Sequence, residues 1–188
     1  MDWSSFLTEY SRELASCSEY LDWAKVPQYA RDANWFGNPP ATAEQIVSAE
    51  KMLLVSLRQD LREFYLVTNG WMLCGSSVYD IRPVEELQYL TNADPSLWSI
   101  CAVDGTPPVN DPVEYEMWYE DEIKVCRSIV LNTRGDDSTF LLDPEPNLPD
   151  NEFRYGTFAA WNPGMEWVSS SFAQYFQEAR KTLIQITG

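Results

Sequence analysis

Apolar positions near the start of the chain recur in alternating steps of four and three: Trp3, Leu7, Tyr10, Leu14, Cys17 and Leu21, with Phe6 alongside. That spacing keeps one face of a 3.6-residue helix apolar and predicts a single amphipathic helix over residues 2–23, with Asp2 as its N-cap. The stripe is expected to pack on its own domain, as apolar faces of globular helices do. Residues 27–40 read as turn-rich, closing with Gly37, Asn38, Pro39 and Pro40. Thr42 and Gln45 then match a capping box, and Ile46, Ala49 and Leu53 continue one helical face to about Leu54. Leu61, Phe64, Tyr65 and Leu66 predict a second helix over residues 59–68, stopped by Asn69-Gly70, so the two form a hairpin.

After Gly70 the pattern changes from helical to extended. Trp71, Met72, Leu73, Val78, Tyr79 and Ile81 read as short strands broken by Gly75 and Ser76, and residues 84–90 as one or two helical turns after Pro83. Strand signals return at Ile129-Val130-Leu131 and at residues 139–142, around a hairpin turn containing Gly135. Phe153, Tyr155 and Phe158 suggest a further strand. Ser171-x-x-Gln174 resembles a second capping box, and Phe172, Phe176, Ala179 and Leu183 supply the stripe of a last helix. The order is helices, strands, helix, without repeats, which predicts an α+β single domain: a mostly antiparallel sheet of four to six strands from Trp71 onward, packed against an N-terminal helical hairpin and a C-terminal helix. Phe64 and Phe172 are expected in its core, and Trp71, Trp161 and Trp167 as core anchors.

Composition narrows the chemistry. The chain has no histidine, which excludes Ser-His-Asp and Cys-His nucleophile activation, HExxH zinc sites and a histidine base together. Its 29 acidic and 13 basic residues give a net charge of −16, a surface that repels nucleic acid. The cysteines, Cys17, Cys74, Cys101 and Cys126, form no CxxC pair and are expected to be unpaired thiols. No apolar run is long enough for a membrane span and no signal peptide is visible, so a soluble, cytoplasmic protein is expected.

The run Pro40-Ala41-Thr42-Ala43-Glu44-Gln45-Ile46, then Ala49-Glu50, Leu57 and the segment from Asp60 to Gly70, resembles the opening helical hairpin of the SUKH superfamily of Smi/Knr-type proteins. Phe140-Leu141-Leu142-Asp143-Pro144, Trp161-Asn162-Pro163-Gly164 and Ser171-Phe172-Ala173-Gln174-Tyr175-Phe176 resemble its later parts. The chain departs from the family at the turn between the two helices, where Val55 and Arg58 stand in place of the glycine and proline often found there. The resemblance covers residues 40–181, with residues 1–36 as an added N-terminal helix and linker. It implies an α+β fold and, for bacterial members, an immunity protein that binds and neutralises a cognate polymorphic-toxin domain. Eukaryotic members imply the alternative, an intracellular scaffold or regulator. Neither supplies a catalytic motif, and no enzyme activity, cofactor or catalytic residue is expected.

Between Arg82 and Lys124 the chain carries ten carboxylates and no lysine or arginine. The densest part interleaves acids with aromatics, so Asp111, Glu114, Glu116, Trp118, Tyr119, Glu120, Asp121 and Glu122 are the candidate partner-binding residues: rigid rings to anchor, charges to steer. A basic partner such as a nuclease toxin would meet this charge in place of phosphate. A solvated loop is the plainer reading of the same run. Asp136, Asp137, Asp143, Glu145, Asp150 and Glu152 are read as turn residues rather than calcium ligands, because their spacing matches no EF-hand loop. Arg134-Gly135-Asp136 is read as part of the hairpin turn, without adhesive function.

Overall fold

The computed structural model describes residues 1–101, 124–133, 135, 138–149, 152–159 and 162–187. Helix α1 (Trp3–Ser16) starts where expected, with the Asp2 carboxylate accepting from the Ser5 amide at 3.1 Å. It does not run on to Trp23. The chain breaks at Cys17 (φ −96°, ψ 59°) and resumes as α2 (Ser18–Trp23), because Ser16 and Cys17 turn their side chains onto the Glu13 carbonyl at 2.6 and 3.4 Å. The four-residue step from Cys17 to Leu21 survives the break, which is why periodicity does not reveal it. As expected, the stripe packs inward: Trp3, Leu7, Tyr10, Leu14 and Leu21 are all buried.

The turn-rich segment holds a short helix, α3 (Gln28–Ala33), ended by Asn34 in the left-handed conformation. Helix α4 (Ala43–Leu53) carries the full capping box, Gln45 N–H on Thr42 and Thr42 N–H on the Gln45 side chain. Helix α5 (Gln59–Val67) follows. Its C-cap is extended Thr68, and the positive φ belongs to Gly70 at +106°, where an added Cβ would come within 2.7 Å of the Ile81 carbonyl.

The segment after Gly70 corrects the expectation of strands there. Trp71 and Ile81 exchange backbone hydrogen bonds at 3.1 and 2.8 Å and Gly75 closes on Val78 at 2.8 Å, so the loop is pinned by isolated bridges. The sheet begins instead at β1 (Gln88–Tyr89), after a 3₁₀ turn at Val84–Glu86. Two helices, α6 (Leu90–Ala93) and α7 (Pro95–Cys101), precede β2 (Ile129–Val130), β3 (Ser138–Leu142), β4 (Tyr155–Ala159) and β5 (Asn162–Ser169). The five strands pair antiparallel in chain order, with Phe140 opposite Thr157 and Leu142 opposite Tyr155. The sequence reading passed over β5, since its opening Asn162-Pro163-Gly164 is turn chemistry. Helix α8 (Phe172–Thr187) completes the α+β fold.

The sheet has two covered faces because its side chains alternate. Ile129, Phe140, Leu142 and Tyr155 face the main core, where Phe64, Phe172, Phe176 and Trp3 meet edge to face at centroid distances of 5.0–5.7 Å, except for tilted Trp3–Phe172 and Phe64–Phe176. Phe64 and Phe172 are fully buried, as expected. Val130 and Leu141 face the other way, into a smaller cluster with Leu90, Leu97 and Val125. Trp71 is a core anchor at 1% exposure, Trp167 is half-buried, and Trp161 falls outside the described residues. Cys17 and Cys74 are thiols.

One carboxylate joins three helices. Asp60, in the first turn of α5, accepts the amides of Phe172 (2.7 Å) and Ala173 (3.5 Å) at the start of α8, while its own carbonyl accepts the Trp3 indole N–H from α1 at 3.0 Å. Ser171 takes the Gln174 amide at 3.1 Å, so the open N–H groups of α8 are met from two sources. Asp60→Ala should therefore lower stability by about 1–2 kcal/mol, seen as a lower urea midpoint at unchanged slope. Burial also pushes the phenols of Tyr10, Tyr65, Tyr155 and Tyr175 and the Cys74 thiol upward, and Tyr20 to about 12. These groups stay neutral when folded but ionise in the unfolded chain above their ordinary values of about 8.5 and 10. Stability should thus hold at neutral pH and fall as pH rises past those values toward 12. Urea midpoints measured from pH 7 to 11.5 check this, and a flat profile contradicts it.

Candidate functional site

All eight partner-binding candidates, Asp111, Glu114, Glu116, Trp118, Tyr119, Glu120, Asp121 and Glu122, lie in residues 102–123, outside the described residues. What the structure supplies is the frame that holds the two ends of this acidic interval. On the entering side, Asp94 accepts the Leu97 amide at 2.9 Å and Pro95 opens α7, a favourable helix start. On the returning side, Ser128 donates to the Lys124 carbonyl at 2.6 Å and offers its own carbonyl to the Leu90 amide at 2.9 Å. Leu97 before the interval and Val125 after it pack in the same small cluster, beneath Val130 and Leu141 of the sheet. Leu97 and Val125, the described residues flanking the interval, therefore pack on one face of the sheet, opposite the main core.

The charges around this frame are matched. Arg127 forks onto Asp143 with two bonds of 2.7 Å and reaches Glu145 at 3.5 Å. The Asp143 side chain is fully buried, and the paired hydrogen bonds raise the Arg127 pKa further above its ordinary value. Lys124 pairs with Glu152 at 3.1 Å and sits 5.7 Å from the centroid of the Trp167 ring. The sequence reading of Asp143, Glu145 and Glu152 as turn residues is thus incomplete: each also neutralises a cation, and that cation is a side chain from the far end of the acidic interval. Their acidity was visible in the sequence, but the arginine and lysine that answer it sit on a neighbouring segment that only folding brings near. Asp136, Asp137, Asp150 and Arg134 lie outside the described residues. Among the described residues no group of three or more cysteines or carboxylates is placed to hold a metal ion.

Nearer the start of the acidic run, Glu85 accepts from the Asn69 amide group at 2.8 Å, and Asn69 in turn accepts the Val84 amide at 2.7 Å. Glu85 and Glu86 remain exposed. Two surface cavities among the described residues each contain one carboxylate. A groove of about 220 Å³ between the Gly75–Val78 turn and α8 holds Glu178, and a cleft of about 180 Å³ beside Arg58 and Arg154 holds Asp143. No helix among the described residues is long and apolar enough to cross a membrane.

The Arg127–Asp143 pair predicts a specific energetic pattern. Arg127→Met strands a buried carboxylate and should cost about 3 kcal/mol, whereas the Arg127→Met, Asp143→Leu double variant should recover most of that loss. A double-mutant cycle by urea denaturation measures both, and additive losses would mean the pair is not coupled.

No curated protein is similar enough to the chain to count as a match. The SMI1 / KNR4 family (SUKH-1) matches residues 40–178, from the capping-box helix through the sheet to the middle of α8, a span that contains the acidic interval and its frame. With about three quarters of its length matched, the chain belongs to the SMI1 / KNR4 family (SUKH-1).

Proposed function

We propose that this protein is an immunity protein that binds a cognate polymorphic-toxin domain in the cytoplasm and neutralises it by occluding its active surface. The chain belongs to the SMI1 / KNR4 family (SUKH-1), whose bacterial members resemble immunity proteins without a catalytic motif. The observation that carries the reading to a basic partner, such as a nuclease domain, is the charge density of the interval between Arg82 and Lys124, ten carboxylates without a lysine or arginine in sequence. Several basic residues elsewhere are engaged internally: Arg31 with Asp22, Arg62 with Glu50, Arg180 with Glu9 and Glu13. The acidic excess is left for the surface, where it would steer a basic protein into contact.

Occlusion needs no reacting group, in keeping with the absence of histidine. A carboxylate-driven hydrolase would need two acids with separated pKa values in one cleft, and the cavities named above each hold one. In the proposed interface Asp111, Glu114, Glu116, Glu120, Asp121 and Glu122 attract, while Trp118 and Tyr119 anchor.

The two roles separate kinetically. Against the toxin domain encoded next to this chain, changing Glu116, Glu120, Asp121 and Glu122 to their amides should slow association by about tenfold or more and leave dissociation nearly unchanged. Salt should do the same to the wild type, since the screening length shrinks from about 10 Å at 0.1 M to about 3 Å at 1 M. Trp118→Ala should instead raise the off-rate and cost upward of about 2 kcal/mol. Stopped-flow measurements check all three. On-rates indifferent to salt and to the amides would place the interface elsewhere, and absence of any toxin domain that binds would favour a regulatory role.

A further inference from the structure

Where α1 ends and α2 begins, the break at Cys17 opens a groove of about 500 Å³. Cys17, Glu19 and Tyr20 line one side, and Ile186 and Thr187 of α8 line the other. None of its lining residues is a lysine or arginine. The groove lies at the edge of what the family match covers, since its α1–α2 wall precedes residue 40 and its α8 wall follows residue 178.

Two features, one in the groove and one reaching beside it, favour one kind of guest. Glu19 lines the groove and is exposed. The ring of Tyr20 stacks on Trp23 at 5.5 Å, and Trp23 stands edge to face with Tyr79 at 5.3 Å. The Tyr20 hydroxyl is tied to the Gly75 carbonyl at 3.3 Å. These rings are therefore held in position before any guest arrives, yet Trp23 remains 58% exposed. Fixed aromatic faces next to a carboxylate attract cations, and little ordering cost is left for binding.

The chain already uses this combination once. Ten residues earlier, Glu9-Tyr10 precedes Glu13 as Glu19-Tyr20 precedes Trp23. There Arg180 lies with its guanidinium carbon 5.0 Å from the centre of the Phe6 ring and 5.9 Å from that of Tyr10, and pairs with Glu13 at 2.5 Å and Glu9 at 3.2 Å. On α2 the nearby Asp22 is matched by Arg31, while among the described residues that line the groove Glu19 meets no lysine or arginine.

We infer that the groove at the α1–α2 break, with the exposed Trp23 ring beside it and four residues from Glu19 on α2, is a docking site for an arginine side chain of a basic partner protein, received by the Glu19 carboxylate and the Tyr20–Trp23 pair. Arginine suits it better than lysine, because a planar guanidinium can stack on the rings and fork onto the carboxylate together. A second copy of this chain is a poor donor, since each copy carries a net charge of −16. The identity of the donor as a toxin domain rests on the function proposed above; the guanidinium chemistry does not.

The test needs no partner protein. The full chain is titrated with N-acetyl-arginine amide, and with its lysine counterpart, while the Ile186 methyl resonance is followed by carbon-13 NMR. The arginine probe should produce a saturable shift, and the lysine probe a weaker one. Glu19→Gln and Trp23→Ala should each weaken the arginine probe by roughly two- to fivefold. Both positions are exposed, so melting temperatures should stay near wild type. Glu86→Gln, an exposed acid elsewhere, should change nothing. A drift without saturation, equal response to both probes, or a Glu19→Gln variant that binds like wild type overturns the inference and leaves diffuse attraction to an acidic surface. Toxin binding can persist through that failure. Conversely, a chain that captures the arginine probe at Glu19 yet binds no toxin domain keeps the groove and loses the immunity reading.

Discussion

The cap on α8 comes from Asp60, 112 residues away in sequence. Helix α8 begins at Phe172, shortly after β5, and its first amides have no partner within the helix. Asp60 meets two of them, and the same residue receives the Trp3 indole from α1. The three helices are thereby fixed at one point, and the rings of Trp3, Phe64 and Phe172 pack around it. Because the sheet rests on Phe172 through Phe140 and Tyr155, the position of this cap also sets the depth at which the sheet meets the helices.

The sheet passes that constraint outward. Its inner face is committed to the aromatic core and its outer face to the cluster of Leu90, Leu97 and Val125. The acidic interval is attached to that outer cluster at both ends, and Arg127 and Lys124 hold its returning end by pairing with Asp143 and Glu152. A surface dense in like charge tends to push its own attachment points apart. Packing Leu97 and Val125 against one sheet face, with partly buried ion pairs beside Val125, resists that repulsion.

Helix α1 lies outside the family match, yet it is part of the main core rather than an appendage. Trp3, Leu7, Tyr10 and Leu14 are fully or almost fully buried, and Tyr10 reaches the Cys74 carbonyl at 3.2 Å. The addition covers the pinned loop from Trp71 to Ile81 and the flank of α8, where Arg180 binds back to Glu9 and Glu13. It also creates the groove at Cys17, so the region in which this chain departs from its family match both stabilises the common fold and adds a surface to it.

Features set by neighbours in sequence were legible without the structure. The Asp2 and Thr42 caps, the buried stripe of α1, the α4–α5 hairpin and the burial of Phe64 and Phe172 all follow from local spacing and chemistry. Net charge and the lack of histidine were equally plain and already pointed away from several chemistries. Tertiary structure decided the rest. Whether Trp71 to Ile81 extends into the sheet depends on which backbone meets it, and it meets Gly37, Gly135 and itself through isolated bridges. Strand β5 forms despite Pro163 and Gly164 because β4 offers it a partner, which local propensity cannot register. The break at Cys17 preserves the apolar spacing and so leaves no periodic trace. The partners of Asp60, Asp143 and Glu13 are remote in sequence, because a carboxylate declares its charge locally but finds its counterpart only when the chain has folded.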